Sequence, residues 1–172
     1  TVRTEMRPSH PHNGPRASRL RPDLLIEGPD VNVLADVVIT TPTAPTYVRA
    51  GSSRTGLKAA HINAQRKVEK YAEMARFERR DLYPVAIEAY GGMHEKARAL
   101  LNLIADRAAE FGGGGQHQRA ETFAHVNAVI AAAVVRGNNR LVDTAIRFAR
   151  RPHSTTVHRA SGRFVVQLDP GR

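Results

Sequence analysis

The chain predicts an α/β domain, and three observations carry that expectation. Apolar runs of strand length alternate with longer stretches of helical periodicity, in the order strand, strand, helix, strand, helix. Turn signals divide them, Gly28-Pro29-Asp30 after the first strand and Gly91-Gly92 after the third. A length of 172 residues suits one hydrophobic core with extensions rather than two full domains.

Residues 1–19 read as a basic Pro/Arg-rich arm, because each proline removes a backbone donor and turns the residue before it away from helix. Residues 20–111 hold the α/β core. "DLLIE" and "VNVLADVVITT" are its first two strands, followed by a long Pro- and Gly-punctuated loop, "TPTAPTYVRAGSSRTG". From about residue 57 to 80 a helix follows, with Ala64, Val68, Tyr71, Ala72 and Ala75 at helical spacing. Arg66, Lys67, Glu69, Lys70 and Glu73 fall on its other face. "LYPVAIEAYGG" is the third strand, and "MHEKARALLNLIADRAAEF" a second amphipathic helix with Ala97, Leu100, Leu101, Ile104 and Ala108 inward. Residues 112–118 form a Gly-rich linker. Residues 119–150 are a helical extension, in which Phe123, Val126, Ile130 and Val134 mark one helix. "RGNNR" is expected to interrupt it, and Leu141, Val142, Ala145 and Ile146 line the next. Residues 151–172 form a basic tail with a β-hairpin turning at Ser161-Gly162.

Charge narrows the function classes. Lys and Arg number 26 against 16 Asp and Glu, a formal charge of +10, which favours a polyanionic partner, nucleic acid before others. Arg3, Arg7, Arg16 and Arg19 of the arm, with Arg21, Lys67, Arg150 and Arg151, are the candidate phosphate contacts. The absence of cysteine excludes disulfides, thiolate metal sites and a cysteine nucleophile. No apolar run approaches the roughly 18 residues of a membrane span, so a soluble, intracellular protein with no membrane partner is expected. The first 22 residues hold five Arg, four Pro and one acid, consistent with a processed N-terminus. Mitochondrial and nuclear destinations both stay open.

The strands carry acids. Alternation places Val33, Ala35, Val37 and Ile39 on one face of the second strand and Leu34, Asp36, Val38 and Thr40 on the other. The same parity sets Asp23 and Glu27 opposite Leu24 and Ile26, and Glu88 opposite Val85 and Ile87. Three neighbouring strands are thus expected to gather Asp23, Asp36 and Glu88 at one edge of the sheet. Buried carboxylates must be protonated, paired or metal-bound, and carboxylate oxygens supplemented by water are what Mg²⁺ accepts. The bland reading is that these acids lie at strand ends and pair with Arg21, Arg49 or Lys70.

"RPDLLI", "LADVVITTPTAPTYV", "AAHINAQRKVEKYAEMA", "PVAIEAYGG" and "VVRGNNRLV", in that order across residues 20 to 147, resemble the domain at the C-terminus of many reverse-transcriptase-like retroelement proteins. That domain is similar to the PD-(D/E)XK, or restriction-endonuclease-like, nucleases. The resemblance implies a mixed sheet flanked by helices, here with a helical C-terminal extension and a terminal β-hairpin. It also implies an Mg²⁺-dependent endonuclease with Asp23 and Asp36 as catalytic metal ligands and a lysine orienting or activating water; Glu88 is either a further metal ligand or the partner of a helix residue. The usual lysine position, two residues after the second acid, is Val38. Some members carry the lysine on the next helix, where "KVEKY" offers Lys67 and Lys70, and Lys70 is the choice. The acid that the class carries on a helix before the first strand has no clear counterpart, because the Pro-rich arm occupies that region.

Two function classes follow. One is a metal-dependent endonuclease acting on DNA. The other is a nuclease-derived fold kept as a non-catalytic rRNA-binding subunit of a ribonucleoprotein such as a mitochondrial ribosome, alongside its other proteins. The eight histidines show no metal-ligand spacing and read as surface or phosphate-contacting groups. "GGGG" at 112–115 lacks the following Lys-Ser/Thr of a phosphate loop. With aromatics at 5% and no Trp, a base-stacking platform is disfavoured.

Overall fold

The computed structural model describes residues 2–4, 20–149, 155–160 and 163–168, with side chains placed for 20–148. The fold is α/β. Strands β1 (Val2–Thr4), β2 (Leu24–Gly28), β3 (Val31–Thr40) and β4 (Asp81–Glu88) form one mixed sheet in the order β1-β2-β3-β4. β1 and β2 pair antiparallel, as do β2 and β3, whereas β3 and β4 run parallel. The arm is therefore not wholly an unpaired extension, since its residues 2–4 add a strand to β2. Parallel pairing of β3 and β4 requires a crossover. Helices α1 (Pro45–Arg49) and α2 (Lys58–Phe77) supply it.

The alternation of β3 is realised as two differently used faces. Val33 and Ala35 join Val85 and Ile87 of β4 in one apolar cluster. Helix α3 (Glu95–Gly112) covers it with Ala97, Leu100 and Leu101, and helix α4 (Gly115–Ala149) adds Val134, with Phe123, Val126 and Ile130 packed alongside. The opposite face belongs to α2. There Leu34 meets Tyr71 and Met74, and Ala86 meets Ala60 and Ala64. Small alanines let the start of α2 approach the strands closely. Pro84 is accommodated because β4 is an edge strand.

Three expected boundaries move. The Gly-rich linker shrinks to Gly113 and Gly114: α3 reaches Gly112, Gly113 closes it at φ 69°, and α4 begins at Gly115. "RGNNR" does not interrupt a helix, and α4 is a single element of 35 residues. One exposed glycine costs a helix about 1 kcal/mol, too little to break so long a ladder. Within the loop after β3, Pro45 at the first helical position nucleates the short α1, which the loop signals had hidden.

Contacts divide the chain into a unit of residues Thr1–Val135, containing the sheet, and a second of Arg136–Arg172. In the second unit, β5 (Thr155–Ala160) and β6 (Arg163–Leu168) pair antiparallel with Ala160 opposite Arg163, so the strands flank Ser161-Gly162 as expected. Leu141, Val142 and Ile146 are exposed on α4 rather than lining a packed face. Among the described residues, no helix is long and apolar enough to cross a membrane.

Candidate functional site

Asp36 lies in the middle of β3 on the face covered by α2, and its residue is only 2% exposed. A carboxylate there is costly unless countered. Its counter-ion is Lys67, which reaches down from α2 to form an ion pair with Oδ2, an oxygen that accepts no well-directed hydrogen bond. The expected placement of Lys67 on the outer face of α2 is thereby corrected. The buried stripe of that helix runs Ala60, Ala64, Lys67, Tyr71 and Met74 in steps of three and four, with Asn63 beside it and the lysine half-buried inside it.

Asp23 occupies the position that would face Asp36 if the β2–β3 register, Leu24 opposite Ala35, ran one residue further. The ladder ends there because buried Pro22 has no N–H to continue it. The Asp23 carboxylate takes over, its Oδ2 accepting the Val37 amide at 2.7 Å. The two acids are thus neighbours where β2 and β3 stop pairing.

Tyr71 completes the cluster. It is fully buried, its hydroxyl donates to the Arg21 carbonyl at 2.9 Å, and Lys70 Nζ donates to that hydroxyl at 2.8 Å. The Lys70 ammonium also lies 4.5 Å from the ring centroid. Burial, then the Asp36 carboxylate, then Asp23, push the Tyr71 hydroxyl well above its ordinary range, so it stays protonated. Of the two lysines, Lys67 meets the acid, whereas Lys70, the lysine chosen from the sequence, is exposed and donates to the Tyr71 hydroxyl.

Glu88 does not join the acids. It shares their face of the sheet but stands on the rung of Thr40, whereas Asp36 is level with Pro84. Four residues of strand separate the two rungs, roughly 13 Å at 3.3 Å per residue. Glu88 Oε1 instead accepts the Ala60 amide at the start of α2, 3.3 Å away. Among the described residues, no three His, Asp or Glu come together as a metal-binding group. Two carboxylates remain, one with an oxygen lacking a directed donor, and such a pair with added water fits Mg²⁺. Lys67 competes for the same oxygen.

Of the candidate phosphate contacts, Arg21 is exposed beside Asp23, and Arg3 lies in β1. Arg7, Arg16, Arg19, Arg150 and Arg151 lie outside the described residues.

Two polar groupings were not anticipated. Asn63 Nδ2 donates to Thr40 Oγ1 at 3.2 Å and to the Tyr47 hydroxyl at 2.8 Å, joining α2, the end of β3 and α1. Hydrogen bonds from Thr40 and Asn63 lower the Tyr47 hydroxyl from its usual value. His94, nine-tenths buried, caps α3 by accepting the Lys96 amide at Nδ1, which leaves its proton on Nε2 facing His61 Nδ1 at 3.1 Å. Burial first, then His61, hold His94 below the ordinary histidine value. A separation of 33 residues hid this pair in the sequence, although His94 just before an apolar periodic run is a cap position.

Comparison of the chain with models of protein families, with curated proteins and with solved structures finds no match.

Proposed function

We propose that the chain is a nucleic-acid-binding protein with a restriction-endonuclease-like core that hydrolyses phosphodiesters in the presence of Mg²⁺. The observation that carries this reading is the placing of Asp23, just before β2 and bound to the Val37 amide, beside the Asp36–Lys67 pair of β3 and α2 at the end of the β2–β3 ladder. A buried acid with a lysine counter-ion can be merely structural. A second acid set opposite it, at the frayed end of a ladder beside a +10 chain's exposed arginine, favours chemistry on phosphate.

In this reading Asp23 and Asp36 would hold the cation, which would polarise a phosphoryl oxygen and make bound water more acidic. Lys67 moves from Asp36 toward the phosphate and offsets the charge that develops on it. Lys70 has no direct part in this chemistry. Arg21 and the other basic residues bind the backbone.

A second reading has its own support. Lys67 already neutralises Asp36, so the pair serves equally as a closed structural contact in a non-catalytic rRNA-binding subunit of a ribonucleoprotein. Incubating folded protein with DNA and RNA in Mg²⁺ or Mn²⁺ separates the two. The nuclease reading expects metal-dependent cleavage that Asp36→Asn abolishes while nucleic-acid affinity holds or rises, because a ligand and a repelling charge leave together. No cleavage by the wild type would overturn it and leave the structural reading.

A further inference from the structure

Between Arg21 and Asp23 the backbone has little freedom. Pro22 fixes its own φ near −65°, and the peptide before it is held through the Arg21 carbonyl, which accepts the Tyr71 hydroxyl at 2.9 Å. Only a few torsions then separate an anchored peptide from the Asp23 carboxylate that meets the Val37 amide. Tyr71 itself cannot drift, being fully buried against Leu34 and Met74. It also stands one turn beyond Lys67 on the same face of α2.

The proton on the hydroxyl is directed as well. Tyrosine has one proton to donate, and an ammonium has donors only. Lys70 Nζ, at 2.8 Å, must therefore occupy a lone pair of the oxygen and leave the proton for an acceptor, the Arg21 carbonyl at 2.9 Å, with the Asp36 carboxylate as the other acceptor beside it.

We propose that Tyr71, oriented by Lys70, is a positioning residue that sets Asp23 against Asp36, an inference that rests on reading those acids as one functional pair. Tyr71 touches neither nucleic acid nor cation in this role. It acts through the Arg21 carbonyl and the rigid Pro22, so that one helix governs both acids, Asp36 through Lys67 and Asp23 through Tyr71. The same arrangement accounts for a lysine and a tyrosine adjacent in sequence but bound to each other rather than to separate surroundings.

The test reads the Val37 amide in the full-length ¹⁵N-labelled chain by hydrogen–deuterium exchange, the response being the protection that its hydrogen bond to Asp23 confers relative to the other amides of β3. Tyr71→Phe keeps the ring and removes the tie, and should shrink the Val37 response at least twofold. Lys70→Met, at an exposed position, leaves the hydroxyl free to turn and should shrink it to a smaller extent. A full wild-type response in Tyr71→Phe overturns the proposal. Where that variant fails to fold, an unchanged response in Lys70→Met does the same. Mg²⁺ added to the wild type tests the functional reading separately: absence of any Mg²⁺-dependent change at Val37 removes the metal site but leaves the positioning role of Tyr71 standing.

Discussion

Removing Lys67 should expose how much the buried acid depends on it. Lys67→Met retains a long, flexible apolar stem and deletes only the ammonium, leaving Asp36 charged beneath α2. Breaking a buried pair from one side typically costs 3–5 kcal/mol, because the remaining charge is uncompensated. The Asp36 side chain is 3% exposed but that of Lys67 is 23% exposed, so water can follow part of the way into the vacated space. The low end of the range, about 3 kcal/mol, is therefore expected. For a chain of this size each kcal/mol lowers Tm by about 2–4 °C, giving a drop of about 6–12 °C.

Circular dichroism during urea and thermal unfolding measures both quantities. The double variant Asp36→Leu/Lys67→Met places an apolar side chain among Leu34, Tyr71 and Met74 and should return to within about 1 kcal/mol of wild type, since hydrophobic replacement of a buried pair is often neutral or stabilising. A loss below about 1 kcal/mol for Lys67→Met, the ordinary value of an exposed ion pair, would refute the argument. So would a double variant no more stable than the single one.

Two further outcomes follow from the charge and from the histidine pair. Affinity for a duplex should fall linearly on a log–log plot against salt, with a slope of about −0.9 for each phosphate engaged, and a slope near zero would exclude backbone binding. His94 is held below its ordinary value of 6.5, so at pH above that value it is neutral folded and unfolded alike; as pH falls below it the unfolded state takes up a proton first, and stability declines. His94→Asn keeps a capping side chain and should flatten the stability profile just below pH 6.5, whereas an unchanged slope there would assign the acid sensitivity to other groups.

The parity of the strands was legible because period-two alternation is a local property: Asp36, Thr40 and Glu88 do share the face that α2 covers. What parity does not contain is position along the strand. It brought Glu88 to the acids, and the parallel register of β3 with β4 carries it away. Helical spacing failed at Lys67 for a related reason. A lysine is counted as outward on average, yet Asp36 offers it a partner inside, and one strong charge pair outweighs the penalty of half-burying the stem. "RGNNR" does not break its helix because one exposed glycine costs a helix little, whereas "GGGG" does separate two helices, over Gly113 and Gly114 rather than over the whole of 112–118.

The location of the acids answers why a strand of Val, Ile and Leu contains them. In the interior of the β2–β3 ladder each backbone group is paired, so a carboxylate there finds no backbone donor and needs a side chain instead, as Glu27 does in Arg80. At the Pro22 end the ladder runs out, and the Val37 amide is left needing an acceptor, which Asp23 provides from its side chain. That substitution brings a negative charge beside Asp36, and two adjacent carboxylates need cationic compensation. Lys67 gives part of it. The geometry that repairs the end of the sheet therefore also sets two carboxylates side by side, and in the nuclease reading Lys67 is the charge that moves aside for a cation, whereas in the structural reading it is the permanent counter-ion. In the nuclease reading stability and chemistry draw on the same ion pair, so that reading expects a variant that strengthens the hold of Lys67 on Asp36 to weaken Mg²⁺ binding to the same extent, and unchanged Mg²⁺ binding in such a variant would count against it.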